Sequence, residues 1–185
     1  MKTKLLKKFI FVLSCSLAGP AWAAAAWHPY VPDSRIFDCS IPEGWQAVEN
    51  DESSQLSAHI LGPDDPLGLY RTGIDVRRYE KGQSDYQPVA KALIEWRKTN
   101  KETDRALTAV RPMRISGSLA MTFEVTEKRW LPIEETPLSQ QYLHRYVAII
   151  PKGEDYYVVS LSSMRDVYLD YRDVFYDFLK SFHAL

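Results

Sequence analysis

The sequence predicts an α+β fold, and within that class an α-β-α sandwich: a central antiparallel sheet covered by helices on both faces. Three observations in the 185 residues lead there. Residues 142–150 and 156–161 read as a hairpin whose strands are apolar on both sides, with Tyr146, Ala148 and Ile150 alternating against Val147 and Ile149. A sheet apolar on both faces has to be covered on both. Two amphipathic helices, one near 84–98 and one over 165–182, are the covers the chain offers.

The chain divides into three parts in order. Residues 1–23 read as a secretory signal peptide: Lys2, Lys4, Lys7 and Lys8 precede an uncharged apolar stretch, Gly19-Pro20 ends it, and Ala21-Trp22-Ala23 supplies the small-x-small pattern of a cleavage site between Ala23 and Ala24. The apolar stretch falls short of the roughly 20 residues a spanning helix needs, so the mature chain is expected to carry no transmembrane segment. The expected compartment is the periplasm or the exterior. Cys15, after Val12-Leu13-Ser14, offers a lipidation reading as well, with leucine poorly placed and the better peptidase site downstream. Residues 24–34, with Pro29 and Pro32, read as an extended arm or linker, and 35–185 as a single domain.

Within the domain, strands are expected at 36–41, 45–48, 56–60 and 69–79, each alternating and each bounded by Gly, Pro or Asp. Ser84-x-x-Gln87 resembles a capping box opening a helix with Pro88 in its first turn. Tyr86, Val89, Leu93 and Trp96 share its apolar face, and Gln87, Lys91, Glu95 and Lys98 the other. Strands return at 113–116 and 119–129, joined through Gly117-Ser118 as a two-residue hairpin with glycine in the first central place. Leu119, Met121, Phe123 and Val125 lie on one face of the second of these strands, and 131–140 reads as a loop. Along the last helix Met164, Tyr168, Tyr171, Phe175, Phe178 and Phe182 step by 4, 3, 4, 3 and 4, a stripe built for burial.

Three stretches resemble the PsbP-like family of exported α-β-α domains, typified by the extrinsic PsbP subunit of photosystem II, whose fold a nuclear-import factor shares. They are FDCSIPEGW at 37–45, AHILGP at 58–63, and the run at 145–182 in which a KGED turn leads into the aromatic helix. The resemblance covers 35–183, nearly the whole expected domain. It rests on turns and core positions and includes no catalytic residue. It implies a non-catalytic binding or assembly accessory of the cell envelope, acting on an envelope protein partner, and does not carry photosynthesis with it.

Composition narrows the chemistry further. The chain holds 23 Lys plus Arg against 24 Asp plus Glu, and loss of the four-lysine tag would take the net charge from −1 to −5. An acidic domain is a poor phosphate-backbone binder, so no nucleic-acid partner is expected. No nucleophile elbow, phosphate loop or dinucleotide fingerprint occurs, and no cofactor is expected. His28, His59, His144 and His183 are scattered without zinc-ligand spacing, and His144 reads as a structural, hydrogen-bonded residue. Cys39 alternates with Phe37 and Ile41 and reads as a small core hydrophobe; a cryptic envelope hydrolase or thiol enzyme built on it is the alternative. Asp64-Asp65 and Glu134-Glu135 leave a divalent cation open without ligand spacing to support it. Asp166, Asp170, Asp173 and Asp177 step by 4, 3 and 4 on the face opposite the aromatic stripe. They are the candidate docking face for a basic partner.

Overall fold

Alternating β-branched and aromatic residues form long strands here, and a computed structural model describes residues 26–50, 56–131 and 138–185. The signal-peptide reading with its Ala23–Ala24 cleavage, Cys15 and Glu134-Glu135 lie outside the described residues. The strands are β1 (Trp27–Tyr30), β2 (Phe37–Pro42), β3 (Gln46–Asn50), β4 (Ser57–Asp64), β5 (Arg71–Tyr79), β6 (Ala106–Leu107), β7 (Arg111–Ile115), β8 (Ser118–Leu131), β9 (Ser139–Lys152), β10 (Asp155–Met164) and β11 (His183–Ala184). Among the described residues two α-helices, α1 (Val89–Trp96) and α2 (Tyr168–Ser181), interrupt them. An antiparallel sheet runs β3-β4-β5-β10-β9-β8-β6, with β7 also paired to β8. A second, three-stranded sheet runs β1-β2-β11.

The β9–β10 hairpin lies at the centre of the large sheet, with Val158 opposite Ile149 and Val159 opposite Ala148. Its alternate residues enter two different cores. Tyr146, Ala148, Ile150, Tyr157 and Val159 pack with Phe175, Phe178 and Leu179 of α2, together with Ile60, Ile74 and Val76 from β4 and β5. Val147, Ile149, Tyr156 and Val158 pack instead with Phe123, Val125 and Ala92 of α1. The α1 side is thinner than the sequence suggests. α1 has eight residues, and Tyr79, Tyr86, Leu107 and Met121 from strands and loops supplement it.

Five details depart from the sequence reading. The lead at 24–34 is extended as expected, but Trp27–Tyr30 is hydrogen-bonded along β2. The capping box does not form: Pro88 takes the N-cap position of α1 without a side-chain cap, and its carbonyl accepts from Lys91 and Ala92. The β7–β8 turn is centred on Ser116-Gly117, one residue earlier than predicted, with Ile115 paired to Ser118. Within the stretch read as a loop, β8 runs on to Leu131 and β9 begins at Ser139. The C-terminal helix starts with a 3₁₀ turn, Arg165–Val167, and ends at Ser181, after which Phe182 is extended and leads into β11. The aromatic stripe faces inward as the spacing requires, with Tyr168, Phe175, Phe178 and Phe182 buried.

Candidate functional site

α2 sets the first candidate surface. Burying its aromatic residues turns the opposite side outward, and Asp166, Asp170, Asp173 and Asp177 are all exposed. Asp177 pairs with Lys180 at 2.7 Å, and Asp173 lies 3.8 Å from Nε of Arg172. Asp170 sits in the first turn, where the helix dipole favours an anion; Asp177 sits near the end, where Lys180 compensates it. The four carboxylates form one acidic ridge.

Cys39, by contrast, is withdrawn from chemistry. It is 4 % exposed among Phe37, Ile41 and the α2 aromatics, and burial, with Asp38 adding to it, pushes the thiol up to about 12. A nucleophilic thiol needs the opposite environment. Three of the four histidines are tied to a carboxylate: His59 to Asp75, His144 to Glu124 at 3.0 Å, and His183 to Asp38 at 2.8 Å. No group of three or more metal-ligating side chains occurs among the described residues.

Asp65 explains its own presence. Its carboxylate accepts from the backbone N–H of Leu67 at 2.8 Å and of Tyr70 at 2.5 Å, which closes the turn between β4 and β5. Asp64 lies 3.7 Å from Nε of Arg71. Turn chemistry accounts for this pair.

A cluster that the sequence reading does not single out lies on the α1 side of the sheet. Met121, Phe123 and Val125 alternate along one side of β8, and the next two residues in that alternation are Glu127 and Arg129. Glu127 is 2 % exposed. Its Oε1 accepts from Nε and a terminal nitrogen of Arg129 at 3.1 and 2.9 Å, and Nη1 of Arg145 lies 3.4 Å from the same oxygen. Nε of Arg105 stands 3.8 Å from Oε2, while its Nη2 donates to the carbonyl of Trp96 at the end of α1. Arg145 sits opposite Val125 in the β8–β9 register, diagonal to Glu127, so pairing of the strands delivers it. Arg105 comes from the loop after α1.

Beside this cluster opens a cleft of about 460 Å³ lined by Tyr70, Thr103, Arg129, Trp130, Leu131 and Arg145, among others. Leu131 and Leu143, which line it, belong to a small core with Met164. The hydroxyl of Tyr70 is 2.7 Å from Oγ of Ser162, which also accepts from Nε of Arg145 at 3.4 Å. The signal available in sequence was a charged pair, Glu127 and Arg129, continuing an apolar alternation.

No family model matches the chain, and no curated protein is significantly similar to it. Solved structures do match. The cyanobacterial PsbP (CyanoP) of Synechocystis sp. PCC 6803 has 14% identity and a TM-score of 0.52, over 94% of this chain and 99% of that one. The Ran-binding protein Mog1p of Saccharomyces cerevisiae has 14% identity and a TM-score of 0.52, over 87% and 96%. PA94, a protein of unknown function and putative regulator from Pseudomonas aeruginosa, has 13% identity and a TM-score of 0.51, over 84% and 94%. At these identities the likeness is one of fold, and the fold is PsbP-like. Among the described residues no helix is long and apolar enough to cross a membrane.

Proposed function

We propose that this chain is an exported, non-catalytic binding or assembly accessory of the cell envelope, and that its three layers form the α-β-α sandwich its sequence suggests. The observation that carries the reading is the outward ridge of Asp166, Asp170, Asp173 and Asp177 on a helix whose other side is locked into the core. A rigid helix with one acidic face presents a fixed charge pattern that a basic protein surface can match, which gives partner choice and association rate. The fold neighbours point the same way, since Mog1p is a Ran-binding protein. The signal-peptide pattern read in residues 1–23 supports the envelope as the place of action. The thiol-enzyme alternative has to place a nucleophile at Cys39, and the burial of that thiol argues against it.

Proximity labelling in the envelope, compared between the native chain and a variant with all four aspartates changed to asparagine, tests the reading. A defined partner labelled by the native chain and lost in the folded variant is the expected result. An unchanged set of labelled proteins would remove the docking face.

A further inference from the structure

We propose that the cleft beside Glu127 binds a small organic oxyanion, a phosphate or carboxylate carried on a partly apolar body, with Arg129 and Arg145 as its direct partners. The inference is independent of the aspartate ridge, which lies on α2, whereas this cleft lies on the α1 side of the sheet.

Charge is the first ground. Arg105, Arg129, Arg145 and Lys128 gather here against three carboxylates, Glu127, Asp104 and Glu102. Asp104 is taken up by Lys128 at 3.3 Å, and Glu102 is exposed at the rim. That leaves three guanidinium groups around the single buried carboxylate of Glu127, and one positive charge over the whole set. The crowding is felt by Arg105, whose guanidinium pKa is lowered by burial first and by its Arg145 and Arg129 neighbours as well, against the pull of Glu127.

Hydrogen bonding is the second. Oε1 of Glu127 serves both Arg129 and Arg145, so one oxygen is shared by two five-donor groups. The buried Oγ1 of Thr103, which lines the cleft, has no hydrogen-bond partner among the described residues. Buried polar groups left unpaired are uncommon enough to require a cause, and a ligand is one.

Exposure is the third, and it orders the roles. Side-chain exposure rises from 2 % at Glu127 through 17 % at Arg105 and 26 % at Arg145 to 47 % at Arg129. Glu127 and Arg105 are therefore the fixed base of the site, and Arg145 and Arg129 face its mouth. Planar guanidinium groups suit a two-oxygen anion, which they hold by paired N–H donors. Leu131, Leu143 and the half-buried Tyr70 give the rest of the cleft an apolar floor for the ligand's body, and its volume falls in the range of small-molecule sites.

Calorimetric titration of the intact protein with phenyl phosphate, benzoate, inorganic phosphate and benzyl alcohol tests the assignment. One-to-one binding of phenyl phosphate or benzoate is expected, tighter than that of inorganic phosphate, weakened by added salt, and with none for the neutral alcohol. Arg129→Gln should weaken the aromatic anions at least tenfold while the melting temperature stays within a few degrees, and the fourfold aspartate-to-asparagine variant should bind as the native chain does. If a substitution unfolds the protein, the native chain still decides the matter: the side-chain Nε–Hε resonances of Arg129 and Arg145 should shift on addition of phenyl phosphate. Sedimentation with phosphatidylglycerol vesicles that Arg129→Gln abolishes would assign the anion to a lipid headgroup, and binding of phenyl phosphate without sedimentation would assign it to a soluble ester or acid. Absence of binding to every anion at millimolar concentration, or binding that leaves both arginine resonances unmoved, overturns the proposal.

Discussion

The imidazole of His144 lies flat on the phenol ring of Tyr168, with ring centroids 3.6 Å apart and planes inclined by 4°. On its edge, Nε2 is 3.0 Å from Oε2 of Glu124. One residue of β9 thus joins the first residue of α2 to a carboxylate of β8. Burial holds the imidazole pKa below its usual 6.5; the Glu124 carboxylate opposes this, and Arg165 and Arg172 add to it.

Stability should therefore depend on pH in a definite direction. Between the lowered folded pKa and about 6.5 the unfolded chain holds a proton at His144 that the folded chain lacks, so this contribution is complete above about 6.5 and is lost as the pH falls below it. The slope from one such group is at most about 1.4 kcal/mol per pH unit. Denaturant unfolding at pH 7.5, 6.5 and 5.5 should show the loss in the native chain and a shallower loss in His144→Asn. Equal slopes, or an NMR titration midpoint for His144 above 6.5, would refute it.

Phe175 is completely buried at the centre of the aromatic stripe, 5.4 Å from the Tyr146 ring and 6.3 Å from Phe178. These neighbours are held by β9 and by the helix itself, so they have little freedom to fill a hole. Phe175→Ala should cost about 3–5 kcal/mol. The denaturant midpoint should fall with little change in slope, and a midpoint equal to that of the native chain would show the stripe to be misassigned.

What the sequence made legible is what repeats. The stripe from Tyr168 to Phe182 and the double-sided hairpin of β9 and β10 announce themselves by period, and both lie where expected. Elements too short to have a period were missed. β11 is two residues, held by pairing of His183 and Ala184 with Asp38 and Phe37, far away in sequence. Pro29 and Pro32 make the lead at 24–34 read as an extended arm or linker, whereas the partners of β1 lie further along the chain, on β2. At 84–88 the local pattern of a capping box lost to Pro88, whose extended ψ of 142° sets the start of α1. The arginine cluster was half visible: Glu127 and Arg129 share a strand, but Arg145 arrives through strand pairing and Arg105 through a loop.

Cys39 should be inert in the native state. A thiol pushed up to about 12 is ionised at pH 8 in only about one molecule in ten thousand, and its 4 % exposure denies a reagent access. Peptide mapping after treatment with an aromatic disulfide reagent should find Cys39 unmodified in the folded protein and fully modified in denaturant. Rapid native modification would restore the thiol-enzyme alternative.

Removing the Glu127 carboxylate leaves Arg105, Arg129 and Arg145 facing one another without their shared counter-ion. Breaking a buried pair on one side typically costs about 3–5 kcal/mol, and Glu127→Gln keeps the shape while deleting the charge. Its loss of stability should shrink as salt is raised, because screening relieves repulsion among the partly exposed guanidinium groups. A neutral effect at low salt would mean that the three arginines do not depend on Glu127.

The turn between β7 and β8 offers a test of backbone conformation alone. Ser116 and Gly117 have φ of 50° and 78°, the left-handed pair that a two-residue turn of this kind demands. A Cβ built on Gly117 would meet nothing within 4 Å, so a substitution there is penalised by φ and not by crowding. Gly117→Ala should cost about 1–2 kcal/mol. Gly117→Asn should cost less, because asparagine enters the left-handed region more readily, and Gly117→Val should cost most, because branching at Cβ resists it. Ser116 should be left intact in this series, since its Oγ accepts from the N–H of Ala184 at 2.9 Å and anchors β11. Thermal unfolding of the three variants should give the order Gly, Asn, Ala, Val, and an alanine variant as stable as the native chain would show that the turn is centred elsewhere.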